Sequence, residues 1–354
     1  MLLRLGQFVL NDELRAFQSG PAHPVITATV DAPESGSEEQ YAWDVTWSDA
    51  AKTARELGAD PASAEVLPAG AGDVVADGGT RVTVAANGEI LLARWVPFGF
   101  AAPSIQVGTL PHLIDVAAAV ARRPAHVVVL ADRDGAAVIA HATGDMGSGV
   151  RFGAGDRPGA EKDPHPGRPP ALHHGERHQT GPEPESGGSR NDTFIAGRVA
   201  DAAASVDAHV VLGAGDQHML DAVSGHLPGS LGPIVTIETG PVSLDDDTPL
   251  RARIGATLDG IAGEDIASAA NQIASLAAKP DPGAVIGAQD VASQLAEQQV
   301  AVLLVAPGFD DAVADELVWS ALHQDAIVAR AAGPLSGQPV AALLRRGQPR
   351  RHNS

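Results

Sequence analysis

At 354 residues, 44% of them hydrophobic, the chain is long enough for two or three domains with cores of their own. Aromatic side chains make up only 3%, so those cores are filled by Ala, Val, Leu and Ile, which favours close helix-on-sheet packing and an α/β fold class. The absence of cysteine excludes disulfides, thiolate metal sites and a cysteine nucleophile, and a formal net charge of −20 argues against indiscriminate binding to nucleic acid, DNA in particular.

The first segment, residues 1–124, opens with a short helix-like stretch. Val25 to Val30 follows, a strand by its β-branched content, ended by Asp31-Ala32-Pro33. Tyr41 to Leu57 carries apolar residues at helical spacing and stops before Gly58. Arg81 to Val84 and Glu89 to Trp95 flank Asn87-Gly88 as a β-hairpin, and Leu110 to Arg123 is a predicted helix closed by Pro124.

The second segment, residues 125–243, begins with the buried-strand pattern His126 to Leu130. It turns at Asp134-Gly135 and returns through Ala136 to His141. Gly144 to Ser189 is then dense in Gly, Pro, Ser, His and charge, and its composition predicts a long flexible loop. Helix Asn191 to Ser205, strand His209 to Leu212, helix Asp216 to His226 and strand Pro233 to Glu238 complete an alternation expected of a parallel sheet. The third segment, residues 244–354, contains the amphipathic stretch Pro249 to Ala278 and the helix Ala288 to Gln298. Strand Val300 to Ala306, helix Ala312 to His323, strand Ala326 to Ala329 and Val340 to Leu344 follow, and the segment closes with a basic tail.

Neither a secretory leader nor a membrane span is expected, because the longest apolar runs fall far short of the roughly 20 residues a span needs. The expected setting is cytoplasmic.

The candidate chemistry is concentrated in the loop. Arg157, Lys162, His165, Arg168, His173, His174, Arg177, His178 and Arg190 form a basic and planar set. Arginine side chains of this kind contact phosphates, and His or Arg planes stack on unpaired bases. A solvated loop without a ligand is the bland alternative. A metal pair from His174 and His178 needs a helix that Pro169-Pro170 and Gly175 disfavour, so no metal and no cofactor is expected.

Arg345, Arg346, Arg350 and Arg351 in the tail are further RNA-binding candidates, with a solubilising tail as the alternative. Gly213-Ala214-Gly215-Asp216 looks superficially like a phosphate-cradling turn, but no Gly follows at dinucleotide-fold spacing and no Gly-Lys-Ser/Thr follows. The expected role is close strand–helix approach with Asp216 capping the helix. Asp245-Asp246-Asp247 before Pro249 suits a helix N-terminus better than a cation site.

Three stretches carry a family resemblance. They are Pro111 to Asp115 running through Arg122-Arg123-Pro124 into His126 to Leu130; the Gly/His-rich loop leading to Asn191-Asp192 and Ala196 to Val206; and Val210-Val211-Leu212-Gly213 with Leu220 to Pro228. In order and spacing the chain resembles the bacterial homologues of the archaeo-eukaryotic peptide chain release factor 1 family, in the actinobacterial, Balon-like group of ribosome hibernation factors. The resemblance implies a three-domain architecture with α/β middle and C-terminal domains and a middle-domain loop reaching toward the peptidyl transferase centre. It further implies occupancy of the A site of idle ribosomes through rRNA contacts, with elongation factor Tu as a possible partner.

The release factors of that family hydrolyse peptidyl-tRNA with a Gly-Gly-Gln motif in this loop. Here the loop holds Gly187-Gly188-Ser189 and His178-Gln179-Thr180 but no Gly-Gly-Gln, and Gly6-Gln7, Gly337-Gln338 and Gly347-Gln348 lie outside it. A displaced catalytic group loses most of its proximity advantage, so a ribosome-binding protein that is not an enzyme is expected. The rival readings are a peptidyl-tRNA hydrolase or rescue factor using His173, His174, His178 or Gln179, and a stress-associated interaction protein with no ribosomal role.

Overall fold

The computed structural model describes residues 3–17, 24–33, 39–72, 79–96, 104–131, 136–144, 150–152, 186–238, 248–279, 283–309, 312–333 and 335–345. In chain order it begins with α1 (Asp12–Ala16), β1 (Val25–Asp31), α2 (Glu39–Glu56), α3 (Pro61–Val66), β2 (Thr80–Ala86), β3 (Glu89–Val96), β4 (Ser104–Gly108) and α4 (Ile114–Ala121). The central run is β5 (His126–Ala131), β6 (Ala136–His141), β7 (Val150–Phe152), α5 (Ser186–Val206), β8 (Val210–Gly215), α6 (Gln217–Ser224) and β9 (Val235–Thr236). The last run is α7 (Thr248–Ala277), β10 (Ala284–Ile286), α8 (Ala288–Ala296), β11 (Val300–Val305), α9 (Ala312–His323), β12 (Ile327–Arg330) and β13 (Val340–Leu344). The class is α/β, as composition predicts.

The chain divides into two compact units. The first comprises residues 1–125, 142–149 and 251–354, and the second residues 126–141 and 150–250. In the first unit, β3-β2-β1-β4 form an antiparallel sheet. The β2–β3 hairpin turns at Asn87 and Gly88, both with positive φ (56° and 75°), the combination that a two-residue turn matched to strand twist requires.

One face of this sheet takes α2. Trp43, Trp47, Ala50, Ala51 and Ala54 recur at helical spacing and bury against Ile26, Ala28, Val30 and Ala85. The other face contributes Val82, Val84 and Ala86 to a core that also takes Phe8, Leu10, Ile114 and Val120, together with Val291, Leu303, Val318 and Val328 from the C-terminal run. The N-terminal and C-terminal segments therefore share one hydrophobic core.

The second sheet of this unit has the order β10-β13-β11-β12, with β11 and β12 parallel. Its two faces are both covered, which is why β11 is apolar along its whole length. Leu303, Val305, Val340 and Ala342 enter the shared core, while Val302, Leu304, Ala341 and Leu343 meet Ala262, Ile266, Ala269, Ile273 and Leu276 of α7. Those α7 positions repeat at intervals of three and four, so a 30-residue helix presents one continuous apolar stripe.

The second unit holds a five-stranded sheet, β7-β6-β5-β8-β9, in which β5–β8 and β8–β9 are parallel and the β6 pairs antiparallel. The parallel alternation read from the sequence is thus present. Ile195, Ala196, Val199, Ala202 and Ala203 of α5 are buried, and α5 and α6 pack beside each other.

Two boundaries differ from the expectations. The stretch expected to be loop from Gly144 to Ser189 carries β7, paired with β6, and α5 begins inside it at Ser186. Three residues are too few to show a period of two, and the Gly-rich start of α5 carries no apolar stripe to read. The helix expected from Leu110 begins only at Ile114 and ends at Ala121. The His112 amide is engaged elsewhere, donating to Thr27 Oγ1 at 2.9 Å. The strand β4 and the short helix α3 were not anticipated at all.

Candidate functional site

Most sequence-predicted site residues, from Arg157 through His178, lie outside the described residues, as do Arg346, Arg350, Arg351, the Asp134-Gly135 turn and the Asp245-Asp246-Asp247 run. Arg190 falls within α5, with its side chain outside the described set. Arg345 is described, and its guanidinium is turned onto the protein. Nε donates to Val300 O at 2.9 Å, Nη2 donates to Gln324 O, and the Arg345 amide donates to Gln299 O at 2.7 Å. Arg345 fastens the end of β13 to its neighbours.

The glycines that end β8 serve packing. Gly215 has φ +109°, and a Cβ there would stand 1.9 Å from Ala131 O. A Cβ on Gly213 would fall 2.6 Å from Ile234 Cγ2 and 2.8 Å from Leu220 Cδ2. Gly215 excludes any side chain, whereas one on Gly213 would require Leu220 and Ile234 to shift. Asp216 then caps α6 through Oδ1, which accepts from the Met219 amide at 2.9 Å.

In the same unit His126 and His141 face each other in register across β5 and β6. Their rings stack at 4.7 Å between centroids and 11° between planes, and both are buried.

The first unit holds two polar groupings that sequence reading missed. In one, the register of β1 against β4 places Thr27 opposite Gln106 and Thr29 opposite Ser104 on one sheet face. With His112, Asp115 and Val116 they line a small cleft. His112 Nδ1 lies 2.7 Å from Asp315 Oδ1 of α9, and Asp115 Oδ1 accepts from Arg330 Nε and Nη2 at 3.1 and 2.9 Å. A His112–Asp315 polar contact and an Arg330–Asp115 ion pair thus tie α4 and its entry to α9 and β12.

The other grouping is basic. Arg122 and Arg123 at the end of α4 share a single carboxylate, Asp259 of α7, while Arg94 Nη2 of β3 lies where it would be 3.2 Å from a Cβ on Gly144. Arg94 lies over the Phe8 ring, 5.6 Å from its centroid, and burial lowers its pKa from the ordinary arginine value. Neither grouping has a local sequence signature, because each draws on residues far apart in the chain.

Among the described residues no group of three or more His, Asp or Glu is placed to hold a metal ion, and no helix is long and apolar enough to cross a membrane.

Residues 125–279, the second unit with most of α7, match the family of bacterial archaeo-eukaryotic release factors, family 2. No curated protein matches the chain. Among solved structures it is similar to Archaeoglobus fulgidus Pelota, at 18% identity over 76% of this chain and 80% of that one, with a TM-score of 0.34. It is also similar to ribosome-bound archaeal Pelota, at 15% identity over 75% and 77%, TM-score 0.43. A third likeness is to Saccharomyces cerevisiae Dom34, described as a translation termination-like factor interacting with Hbs1, at 11% identity over 74% and 75%, TM-score 0.40.

Proposed function

We propose that this protein binds the ribosome, occupies the A site of idle ribosomes as a hibernation or stress factor of the Balon-like type, and does so without releasing peptide. The observation that carries this reading is the match of residues 125–279 to a release-factor family across a segment, Gly144 to Ser189, from which Gly-Gly-Gln is missing. Peptidyl-tRNA hydrolysis needs a group that holds water against the ester, and displacement of such a group by about 1 Å is enough to lose on the order of a hundredfold in rate. A segment that lacks the tripeptide suits occupancy better than hydrolysis. The loop set Arg157 to Arg190 and the tail arginines are the proposed rRNA contacts, elongation factor Tu is a proposed co-partner, and the cytoplasm is the corresponding compartment.

The test is sedimentation of the purified full-length chain with vacant and translating 70S ribosomes across a salt series, with peptide release from a stalled peptidyl-tRNA complex measured in parallel. Stoichiometric binding that favours vacant ribosomes, with no release above background, is the expected result. No sedimentation even at low salt removes the ribosomal reading. Release that is abolished by joint substitution of His174 and His178 with Ala, while ribosome binding persists, establishes the hydrolase instead.

A further inference from the structure

The small cleft of the first unit keeps a set of donors and acceptors that internal bonding does not use. Thr27 Oγ1 accepts from the His112 amide at 2.9 Å, and the hydroxyl proton of Thr27 has no acceptor among the described residues. Asp115 bonds Arg330 through Oδ1 alone, which leaves Oδ2 without a partner among the described residues. The Ser104 hydroxyl and the Gln106 side-chain amide are in the same position. The strand register sets Gln106 opposite Thr27 and Ser104 opposite Thr29, and Asp115 and Val116 of α4 complete the lining.

The lining excludes several ligand classes. No Arg or Lys lines the cleft, so a phosphate or carboxylate meets no fixed cation there. The His112 ring faces Asp315 at 2.7 Å, so its charge, when present, is matched internally. Arg330 matches the charge of Asp115, and among the described residues no group of three or more His, Asp or Glu is placed for a metal ion. No aromatic ring lines the cleft, so a base finds no stacking platform. Its volume of about 30 Å³ takes two water-sized oxygens, at roughly 10 to 15 Å³ each.

What fits is an uncharged group that gives and takes hydrogen bonds at two neighbouring oxygens. We propose that the cleft binds the vicinal diol of a sugar ring. Asp115 Oδ2, an acceptor only, takes a proton from one hydroxyl, and the Ser104 and Thr27 hydroxyls and the Gln106 amide serve the remaining positions. The walls are already held, the entry of α4 by Thr27 and Asp115 by Arg330, so little ordering opposes binding. The site does not depend on the ribosomal reading, and its failure leaves that reading untouched.

The test is methyl-resolved NMR of the full-length chain labelled at Thr and Val, titrated with methyl β-ribofuranoside and with its 2-deoxy analogue. A short RNA with a free 3′-terminal diol, and the same RNA closed by a 3′-phosphate, form the second pair of probes. The expected result is a saturable shift of the Thr27, Thr29 and Val116 methyls with a diol-bearing probe and none with its diol-free counterpart. Gln106→Ala, at an exposed position that leaves the fold intact, is expected to weaken the response about fivefold, the scale of one neutral hydrogen bond. Ser104→Ala should weaken it by a similar factor.

A response to the furanoside assigns the diol to a free sugar, and a response to the open RNA alone assigns it to an RNA end; either supports the site. Methyls that respond to neither diol, or equally to a probe and its diol-free counterpart, overturn it. So does an undiminished response in folded Gln106→Ala and Ser104→Ala, or a response confined to methyls away from the cleft.

Discussion

Arg4 and Asp265, 261 positions apart, are joined by three hydrogen bonds: the Arg4 amide to Oδ2 at 2.5 Å, Nε to Oδ2 at 3.4 Å and Nη2 to Oδ1 at 3.0 Å. Asp265 is 5% exposed, and its bonds raise the pKa of Arg4. This pair holds the start of the chain on α7. Arg4→Ala leaves the carboxylate with the backbone donor alone, and the partial exposure of Arg4 moderates the loss. The expected destabilisation is about 2 kcal/mol, with Arg4→Lys losing less. Urea unfolding measures it, and a change below about 0.5 kcal/mol, the scale of an ordinary surface substitution, would show the pair to be dispensable.

Gly215→Ala places a methyl 1.9 Å from Ala131 O at a φ of +109°. Backbone strain and collision add, and the expected loss is on the order of 3 kcal/mol, confined to the second unit. Hydrogen exchange resolved along the chain should show faster exchange in β5 and β8 with the first unit unaffected. Unaltered protection in β8 would contradict the packing role assigned to this glycine.

Trp43 and Trp47 are both buried on α2 but are expected to respond differently to Phe. Trp43 Nε1 donates to Gly72 O at 3.1 Å and its ring stacks on Trp95 at 5.4 Å, whereas Trp47 Nε1 has no acceptor among the described residues. Replacing Trp47 removes an unsatisfied donor, which offsets part of the lost packing, so W47F should cost about 1 kcal/mol and W43F about 2 to 3 kcal/mol. Thermal denaturation of the two variants gives the order directly, and the reverse order would sink the argument.

His112 and Asp315 should be energetically coupled. Their side chains are 9% and 19% exposed and 2.7 Å apart. A double-mutant cycle with H112A and D315A is expected to return a coupling of about 1 kcal/mol, since residues in one polar network do not act additively. Additive losses would mean that the contact contributes nothing beyond what each residue does alone.

Local patterning told most of the elements. Helix Ala312 to His323 and strand Val340 to Leu344 were legible to the residue, because an apolar stripe and a short continuous apolar run are properties of adjacent residues. The Asn87-Gly88 hairpin and the Asp216 cap were legible for the same reason: turn and cap chemistry act within four residues. β4 was hidden because Ser104-Ile105-Gln106-Val107-Gly108 sits on an edge with little burial, so its pattern is weak. The first four residues of the helix expected from Leu110 are not helical, and among them the His112 amide is held by Thr27, a hydrogen-bond partner 85 positions away.

The sequence by itself determined the α/β class, the parallel alternation of the second unit, the packing role of the glycine turn and the lack of Gly-Gly-Gln in the loop. Only the tertiary structure decided that both ends of the chain share one core, that Arg345 is a clamp, and that Arg122 and Arg123 share Asp259. Those outcomes depend on which distant residues come into contact, and hydrophobic burial, being non-directional, leaves no record of its partners in the local sequence.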